Sequence, residues 1–383
     1  MEGAPARLPL GGIHVVALEQ VVTGPFCTRH LADLGADVVK IERRGGGDLA
    51  RRYDTVVKGQ SAYFVWLNRG KRSIALDVTR PEDRATLDAL LERADVFVHN
   101  LGPGAVDRLG LGWAAVHGRW PRLISCSISG YGADGPYRDR KAYDLLIQAE
   151  AGVIDVTGTE DAPAKVGISI ADIAGAMYAC TSILAALRLR DADGAGRRID
   201  ISLFDCLAEW MMTPIYHQLY GGQAPARTGT RHATIVPYGP YRCADGEVML
   251  AVQNEGQWLR LCRGVLGRPE LVRDPRFTTN EGRVRERAAL EPLIEDALRP
   301  LSRRAAEERL AAADVPSGAR STVADLVAHP QLRERGRWQP VATPGGEVRG
   351  LVPPFNIGGV RSPMGAVPGL DEHGDAIRKE LRS

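Results

Sequence analysis

The sequence lacks most of the signatures by which a chemistry announces itself. Its six cysteines (Cys27, Cys126, Cys180, Cys206, Cys243 and Cys262) are scattered, with no C-x-x-C pair and no histidine at metal-ligand spacing. That pattern excludes a zinc ribbon or a disulfide frame and leaves free thiols in a reducing compartment. Neither sign of charge dominates, with 49 Lys+Arg against 47 Asp+Glu and the two interspersed. No basic stripe therefore marks a nucleic-acid partner. The N-terminal MEGAPARLPLGG lacks the basic-then-apolar order of a leader, and no apolar run is read as approaching the roughly 18 residues that span a bilayer. The expectation is a cytoplasmic protein with no membrane segment. There is no P-loop, no G-x-G-x-x-G between the first strand and first helix, and no Ser-His-Asp arrangement.

What is present is a regular alternation. The β-branched runs IHVVAL (13–18), DVVKIE (37–42), RSIALD (72–77), DVFVHN (95–100) and RLISCSI (122–128) are separated by helical patterns, notably 25–36 and 81–94. Strands alternating with helices predict a parallel sheet with right-handed crossovers, an open α/β domain whose ligands sit at the carboxyl ends of the strands. A chain of 383 residues exceeds what one core organises, so two domains are expected.

An Ala-rich, almost uncharged helix is predicted over 170–190, then a strand over 198–204 and a helix over 206–220. Residues 1–205 are read as the large domain and 206–233, with its GGQAPARTGTRHA end, as a linker or functional loop. The hairpin YGPYRCADGEVMLAV, with a turn signal at Asp245-Gly246, opens a smaller α+β domain over 234–315. Residues 316–383 are expected to return to the large domain.

Three loops after strand ends carry candidate chemistry. The ERRGGGDLAR stretch (42–51) sets flexible backbone beside Arg43 and Arg44, either a phosphate clamp or a solvated loop. NLGPGAVDRLG (100–110) runs from Asn100 through a turn to Arg108, an anion-friendly geometry that a plain βα turn explains equally well. SGYGADGPYRDRKAYD (129–144) brings Arg140, Lys141, Tyr143 and Asp144 together before a helix, which Asp144 is also placed to cap. A fourth feature, VGISIADIAGAMYA (166–179), puts Asp172 at the start of the Ala-rich helix, where local pattern alone makes it a helix cap.

Read in order, VVTGPFCTRHLADLGADVVKIERRGGGDLAR, NRGKRSIALD, NLGPGAVDRLGLGW, SGYGADGPYRDRKAYD, VGISIADIAGAMYA, RHATIVPYGPYRCADGEVMLA, DPRFTTNEGRVRER and HPQLRERG resemble the family III CoA-transferases, which include the formyl-CoA and carnitine enzymes. The resemblance covers nearly the whole chain. It implies a Rossmann-like large domain built from both termini, a small central domain and an interlocked, ring-like homodimer. It implies acyl-CoA and a small organic acid as partners, with coenzyme A thioesters as substrates and no permanently bound cofactor or metal. The family's nucleophilic aspartate matches Asp172. Its CoA contacts match Val22, Thr23, Arg43, Ala75, Leu76, Asn100, Leu101, Arg108, Arg140, Lys141 and Tyr143.

The related alpha-methylacyl-CoA racemases have a histidine where this chain has Tyr143 before Asp144. A phenol with an ordinary pKa of about 10 is a poor base at neutral pH, which favours transferase over racemase. The stretch RTGTRHATIVPYGPY (227–241) resembles enzymes acting on succinyl-CoA and small dicarboxylic acids, and it nominates Arg231 and His232, with Tyr143 and Asp144, as acid-selecting residues. The expected route has Asp172 attack the donor thioester, with anhydride and enzyme-thioester intermediates, while the 129–144 and 221–238 loops exclude water.

Overall fold

The computed structural model describes residues 8–383, so the MEGAPAR stretch inspected above for a leader pattern lies outside the described residues. The chain divides into two compact units. One runs through Gly152 and also takes Val166–Met211 and Gln331–Ser383; the other comprises Val153–Lys165 and Met212–Pro330.

The first unit is built on six strands: β1 (His14–Leu18), β2 (Asp37–Glu42), β3 (Lys71–Ala75), β4 (Val96–His99), β5 (Ile124–Ser129) and β6 (Arg198–Ser202). They lie in the order β3-β2-β1-β4-β5-β6. All pairings are parallel, with Val16 beside both Val39 and Phe97 and Cys126 beside Ile199. The order reverses between β1 and β4, which opens a crevice beyond their carboxyl ends.

Alternation along the strands assigns the faces. Val16, Val39, Ile41, Ile74 and Phe97 join a core with Leu87, Leu90 and Leu91 of the Pro81–Glu92 helix. On the opposite face the Thr23–Asp33 and Ile170–Asp193 helices pack on each other and on the sheet. Pro25 suits the first turn of one helix, and Gly35 at φ 102° follows its end.

The Ile170–Asp193 helix corrects the expectation that no apolar run nears membrane-spanning length. Its 24 residues, with a window of mean hydropathy 1.6, are long and apolar enough. Its Ala171, Ala174, Gly175, Ala176 and Ala179 are nevertheless buried within the unit. Small residues raise hydropathy while serving close approach: a Cβ on Gly175 would collide with the Leu203 side chain and lie 3.1 Å from the Thr23 methyl carbon.

The same face holds a charged cluster. Lys40 on β2 and Lys71 on β3 are fully buried. Lys71 donates to Glu19 at 2.7 Å, and Lys40 donates to Asp48 at 2.8 Å and to Glu19 at 3.4 Å. Glu42 accepts two bonds from Arg51, each 2.7 Å, one from the Asp48 N–H and one from Ser73. Arg51 and Ser73 hold the Glu42 carboxyl down at about 2 despite its burial.

The second unit carries an antiparallel sheet of β7 (Tyr238–Cys243), β8 (Gly246–Ala251) and β9 (Ser317–Ala319) in that order. Cys243 pairs with Gly246, so Ala244 and Asp245 form the turn. Trp258, Phe277, Leu290, Ile294 and Leu310 fill its core. Three boundaries differ from the sequence reading. The helix expected over 206–220 is present as Leu203–Trp210 and Met212–Gly221, but the 206–233 stretch is divided between the units at Met211 instead of standing apart as a linker. Residues 153–165 belong to the second unit, and the return begins at Gln331 rather than 316 because β9 completes the small sheet.

Removing one partner of a buried ion pair costs about 3–5 kcal/mol because the other charge stays buried. Lys40→Met should therefore lower unfolding stability by about that much in a urea titration; a loss below about 1 kcal/mol would mean that the cluster is not desolvated in solution.

Candidate active site

Asp172 is the third residue of the Ile170–Asp193 helix and lines a cavity of about 390 Å³ at the carboxyl ends of β1, β4 and β5. It is not the cap. Ser169 occupies the cap position, and the first-turn Ala171 N–H donates instead to Asp144 Oδ1 at 2.8 Å. The other Asp144 oxygen accepts from Gln148 at 2.7 Å, so both its oxygens are engaged. Asp144 likewise does not cap its own helix; Tyr143 holds that place, at the start of Asp144–Glu150.

Among the described residues the hydrogen-bond donor to the Asp172 carboxylate is the Thr23 hydroxyl, on Oδ1, and not an amide of its own helix. Burial pushes the Asp172 carboxyl up to about 6, with the Asp144 charge adding to the rise and the Thr23 bond opposing it. The group is thus ionised at neutral pH but lightly solvated, the state in which a carboxylate is most nucleophilic.

Thr23 is delivered by a tightly held turn after β1. Val21 sits at φ 66°, where a β-branched residue is an outlier, and its N–H donates to Asp48 Oδ1 at 2.9 Å. Asn100 clamps the same turn from β4, accepting from the Gln20 N–H at 2.9 Å and donating to the Gln20 carbonyl at 2.8 Å. A side chain on Gly24 would press within 3.2 Å of Asn100 and 2.9 Å of Glu19, which accounts for the glycine.

The cavity also takes in Val22, Thr23, Asn100, Leu101, Arg108, Arg140, Lys141 and Tyr143. A neighbouring cavity of about 280 Å³ takes in Arg43 and Leu76 and shares Gln20, Leu101, Ala105 and Arg108 as walls with the first. Nearly all the nominated CoA contacts of the first unit therefore line one continuous cleft. Ala75 lines neither cavity, and its N–H is spent on Asp371 at 2.8 Å.

The cations are not equivalent. Arg44 is bound by two 2.6 Å bonds to Asp83, so it is no longer a free half of a phosphate clamp. Arg43, Arg108 and Lys141 have no side-chain ion pair among the described residues, leaving three positive groups on the cleft walls. Arg140 is partly committed, stacked 3.5 Å from the Tyr137 ring centre and 3.4 Å from Glu150.

Arg231 and His232 lie in the second unit. Arg231 pairs with Glu291 at 3.2 Å and Glu295 at 3.5 Å, over the Tyr241 ring. His232 stacks on Tyr238, and burial with nearby Arg287 lowers its pKa. The sequence reading missed Lys40 and Asp48, which support the β1 turn from beneath; their only signal was a charge inside a β-branched run and an acid just after the glycine cluster.

The description CoA-transferase family III matches residues 10–374 of this chain. The chain belongs to the family III CoA-transferases. It is 36% identical over 386 residues to the acetyl-CoA:oxalate CoA-transferase of Acetobacter aceti, covering 99% of this chain and 98% of that one. It is 34% identical to the succinate–glutarate CoA-transferase of Agrobacterium fabrum, covering 93% and 89% of the two chains. A crystal structure of a CAIB/BAIF family protein from Brucella suis matches with TM-score 0.84 and 39% identity, over 97% of this chain and 99% of that one. The protein is accordingly a CoA-transferase enzyme that uses CoA thioesters as substrates.

The elevated Asp172 pKa also makes a stability statement. Ionising this group opposes folding, so the penalty is absent below the unfolded value of about 3.9, grows as pH rises to about 6 and is complete above that. Asp172→Asn should therefore raise the melting temperature at pH 7.5 and do so much less at pH 4. An equal gain at both values would show that the carboxylate is not desolvated.

Proposed function

We propose that this family III CoA-transferase moves CoA from a succinyl-type donor to a small dicarboxylic acid, with Asp172 as the covalent nucleophile. The observation that carries the reading is a desolvated carboxylate on the wall of a cleft that also presents Arg43, Arg108 and Lys141. Those cations suit the phosphates of CoA, and the carboxylate suits the thioester end. Oxalate and glutarate, named in the two relatives, are both dicarboxylic acids.

In this mechanism an Asp172 oxygen attacks the donor carbonyl and CoA leaves as its thiolate, giving a mixed anhydride. The thiolate attacks the aspartyl carbonyl, the donor acid departs, and CoA is held as an Asp172 thioester. The acceptor carboxylate reverses both steps, so the thioester's free energy is conserved. Val22, Asn100, Leu101 and Arg108 orient the ester, while Tyr143 and the loop that precedes it border the acyl end and limit water. Asp144, which lines neither cavity, holds the Ala171 N–H.

A second copy of the chain is assigned to the exposed face of the Ile170–Asp193 helix, where Tyr178, Leu184 and Leu189 stand out beside Trp210. Large apolar side chains grouped on one helix face favour burial in an interface. Sedimentation should read a dimer, and a monomer at micromolar concentration would refute it. The six buried, unpaired thiols suit a cytoplasmic setting.

The function is tested with succinyl-CoA and acetyl-CoA against a panel of mono- and dicarboxylic acids, read by mass spectrometry of the CoA products. Dicarboxylic acceptors should dominate, and Asp172→Ala should lower turnover by at least about a thousandfold. Retained turnover in Asp172→Ala would remove the nucleophile assignment, and exchange of the alpha proton without acyl transfer would assign a racemase instead. In the same panel Arg231→Ala should raise KM for dicarboxylic acids above that for monocarboxylic ones; equal effects would restrict Arg231 to holding Glu291 and Glu295.

A further inference from the structure

The two oxygens of Asp172 are not alike. Oδ1 accepts the hydroxyl of Thr23, a residue only 3% exposed, whereas Oδ2 accepts no hydrogen bond among the described residues. The Thr23 rotamer is held by its surroundings: its methyl carbon lies against Gly175, where a Cβ would come within 3.1 Å, and this leaves the hydroxyl directed at the carboxylate. Its backbone is fixed by the strained Val21 turn, tied to Asp48.

We propose that the Thr23 hydroxyl is a catalytic group, the oxyanion donor for the acyl carbonyl that forms on the protein itself. The inference rests on the reading of Asp172 as nucleophile. Oδ2, with its lone pairs uncommitted, attacks the donor thioester carbon; the Oδ2–C bond forms, the C–S bond breaks and the electron pair leaves on CoA sulfur. Oδ1 is then the carbonyl oxygen of the aspartyl half of the anhydride. When the thiolate attacks Cγ, the carbonyl pair moves onto Oδ1, and the negative charge develops where the Thr23 hydroxyl already points. Collapse breaks the Cγ–Oδ2 bond and releases the donor acid as a carboxylate, leaving Cγ bonded to sulfur.

The acceptor half-reaction passes through the same oxyanion. The acceptor carboxylate adds to Cγ, charge builds again on Oδ1, and CoA thiolate is expelled before it attacks the acceptor acyl carbon. No proton, metal or redox partner is consumed at any step. One hydroxyl thus serves twice per turnover, in addition to favouring the ionised form of the resting carboxylate.

Other groups around Asp172 do not duplicate this role. Asp144 is occupied by the Ala171 N–H and Gln148, and as an anion it opposes charge on Oδ1. The cleft wall adds Tyr143, Lys141, Arg140 and Arg108, and the Tyr53 phenol is raised by burial, with the charges of Asp48, Tyr143 and Asp172 contributing.

The test compares Thr23→Val, Thr23→Ala and Thr23→Ser in the full-length enzyme, each first checked for a wild-type melting temperature. Removing an oxyanion donor costs about a hundredfold to a thousandfold in kcat in other acyl-transfer enzymes. Thr23→Val and Thr23→Ala should lose about that much, with little change in KM for the CoA ester, and Thr23→Ser should recover most of it. The acid limb of kcat/KM should move to higher pH in Thr23→Val, since the bond that lowered the carboxyl pKa is gone. Rapid quenching with mass spectrometry of the Asp172 peptide should show the CoA thioester forming more slowly but still on Asp172. If both variants keep kcat within about threefold of wild type with an unmoved acid limb, Thr23 is not the donor. If CoA becomes attached to a residue other than Asp172, or Asp172→Ala turns over, the nucleophile assignment fails instead.

Discussion

Asp48 holds the active-site side of the molecule together. Buried and bonded through one oxygen to Lys40, it uses the other to accept the Val21 and Ala50 N–H groups. A β-branched residue in left-handed backbone costs on the order of 1–3 kcal/mol and persists only where the surroundings over-determine it. Here the determination is electrostatic: Lys40 is fixed between Asp48 and Glu19, and Glu19 is fixed by Lys71 and Thr28. The charged cluster beneath the sheet's carboxyl edge thus sets the backbone from Gln20 to Thr23. Everything offered to Asp172 from the β1 side follows from that setting.

The cluster also explains how one fold keeps buried carboxylates in opposite states. Glu42 has Arg51, Lys40 and a hydroxyl, so its charge is favoured despite burial. Among the described residues Asp172 has only Thr23 as a donor and faces a second acid, so burial wins and its pKa rises to about 6. The distinction lies in the partners supplied, since both groups are largely removed from water. On the proposed mechanism this difference is useful: a nucleophile neutralised by an arginine would be stable and inert, whereas one hydroxyl leaves the carboxylate ionised and reactive.

The sheet was legible because its strands are buried on both faces and read as near-continuous β-branched runs, so five runs and a later sixth fell within a few residues of β1 to β6. The site was legible in outline because loops after those strands must meet at the carboxyl edge. The pairings were not. ERRGG shows two adjacent arginines, and nothing local tells that Arg44 reaches Asp83, 39 residues on, while Arg43 has no such partner among the described residues. Lys40 inside DVVKIE reads as a solvent-facing residue until the helices on that face are placed over it. Asp172 reads as a cap for a similar reason: a cap and a third-position acid look alike in sequence, and the deciding partners are distant, Thr23 lying 149 residues from Asp172 and Asp144 27 residues from Ala171.

Those distant partners bear on why the helix begins where it does. An acid in a first turn is ordinarily favoured by the helix's own free amides. In this helix the Ala171 amide is bonded to Asp144, and the Asp172 carboxylate takes its hydrogen bond from Thr23. A backbone amide is lost only by substitution to proline, whereas a threonine hydroxyl is a rotatable group that many substitutions add or remove. With a hydroxyl as its donor, the ionisation of this carboxylate is tunable at one side chain, Thr23, without disturbing the helix that carries it. On the proposed mechanism the same arrangement keeps the donor aligned with the one oxygen that remains a carbonyl throughout the transfer.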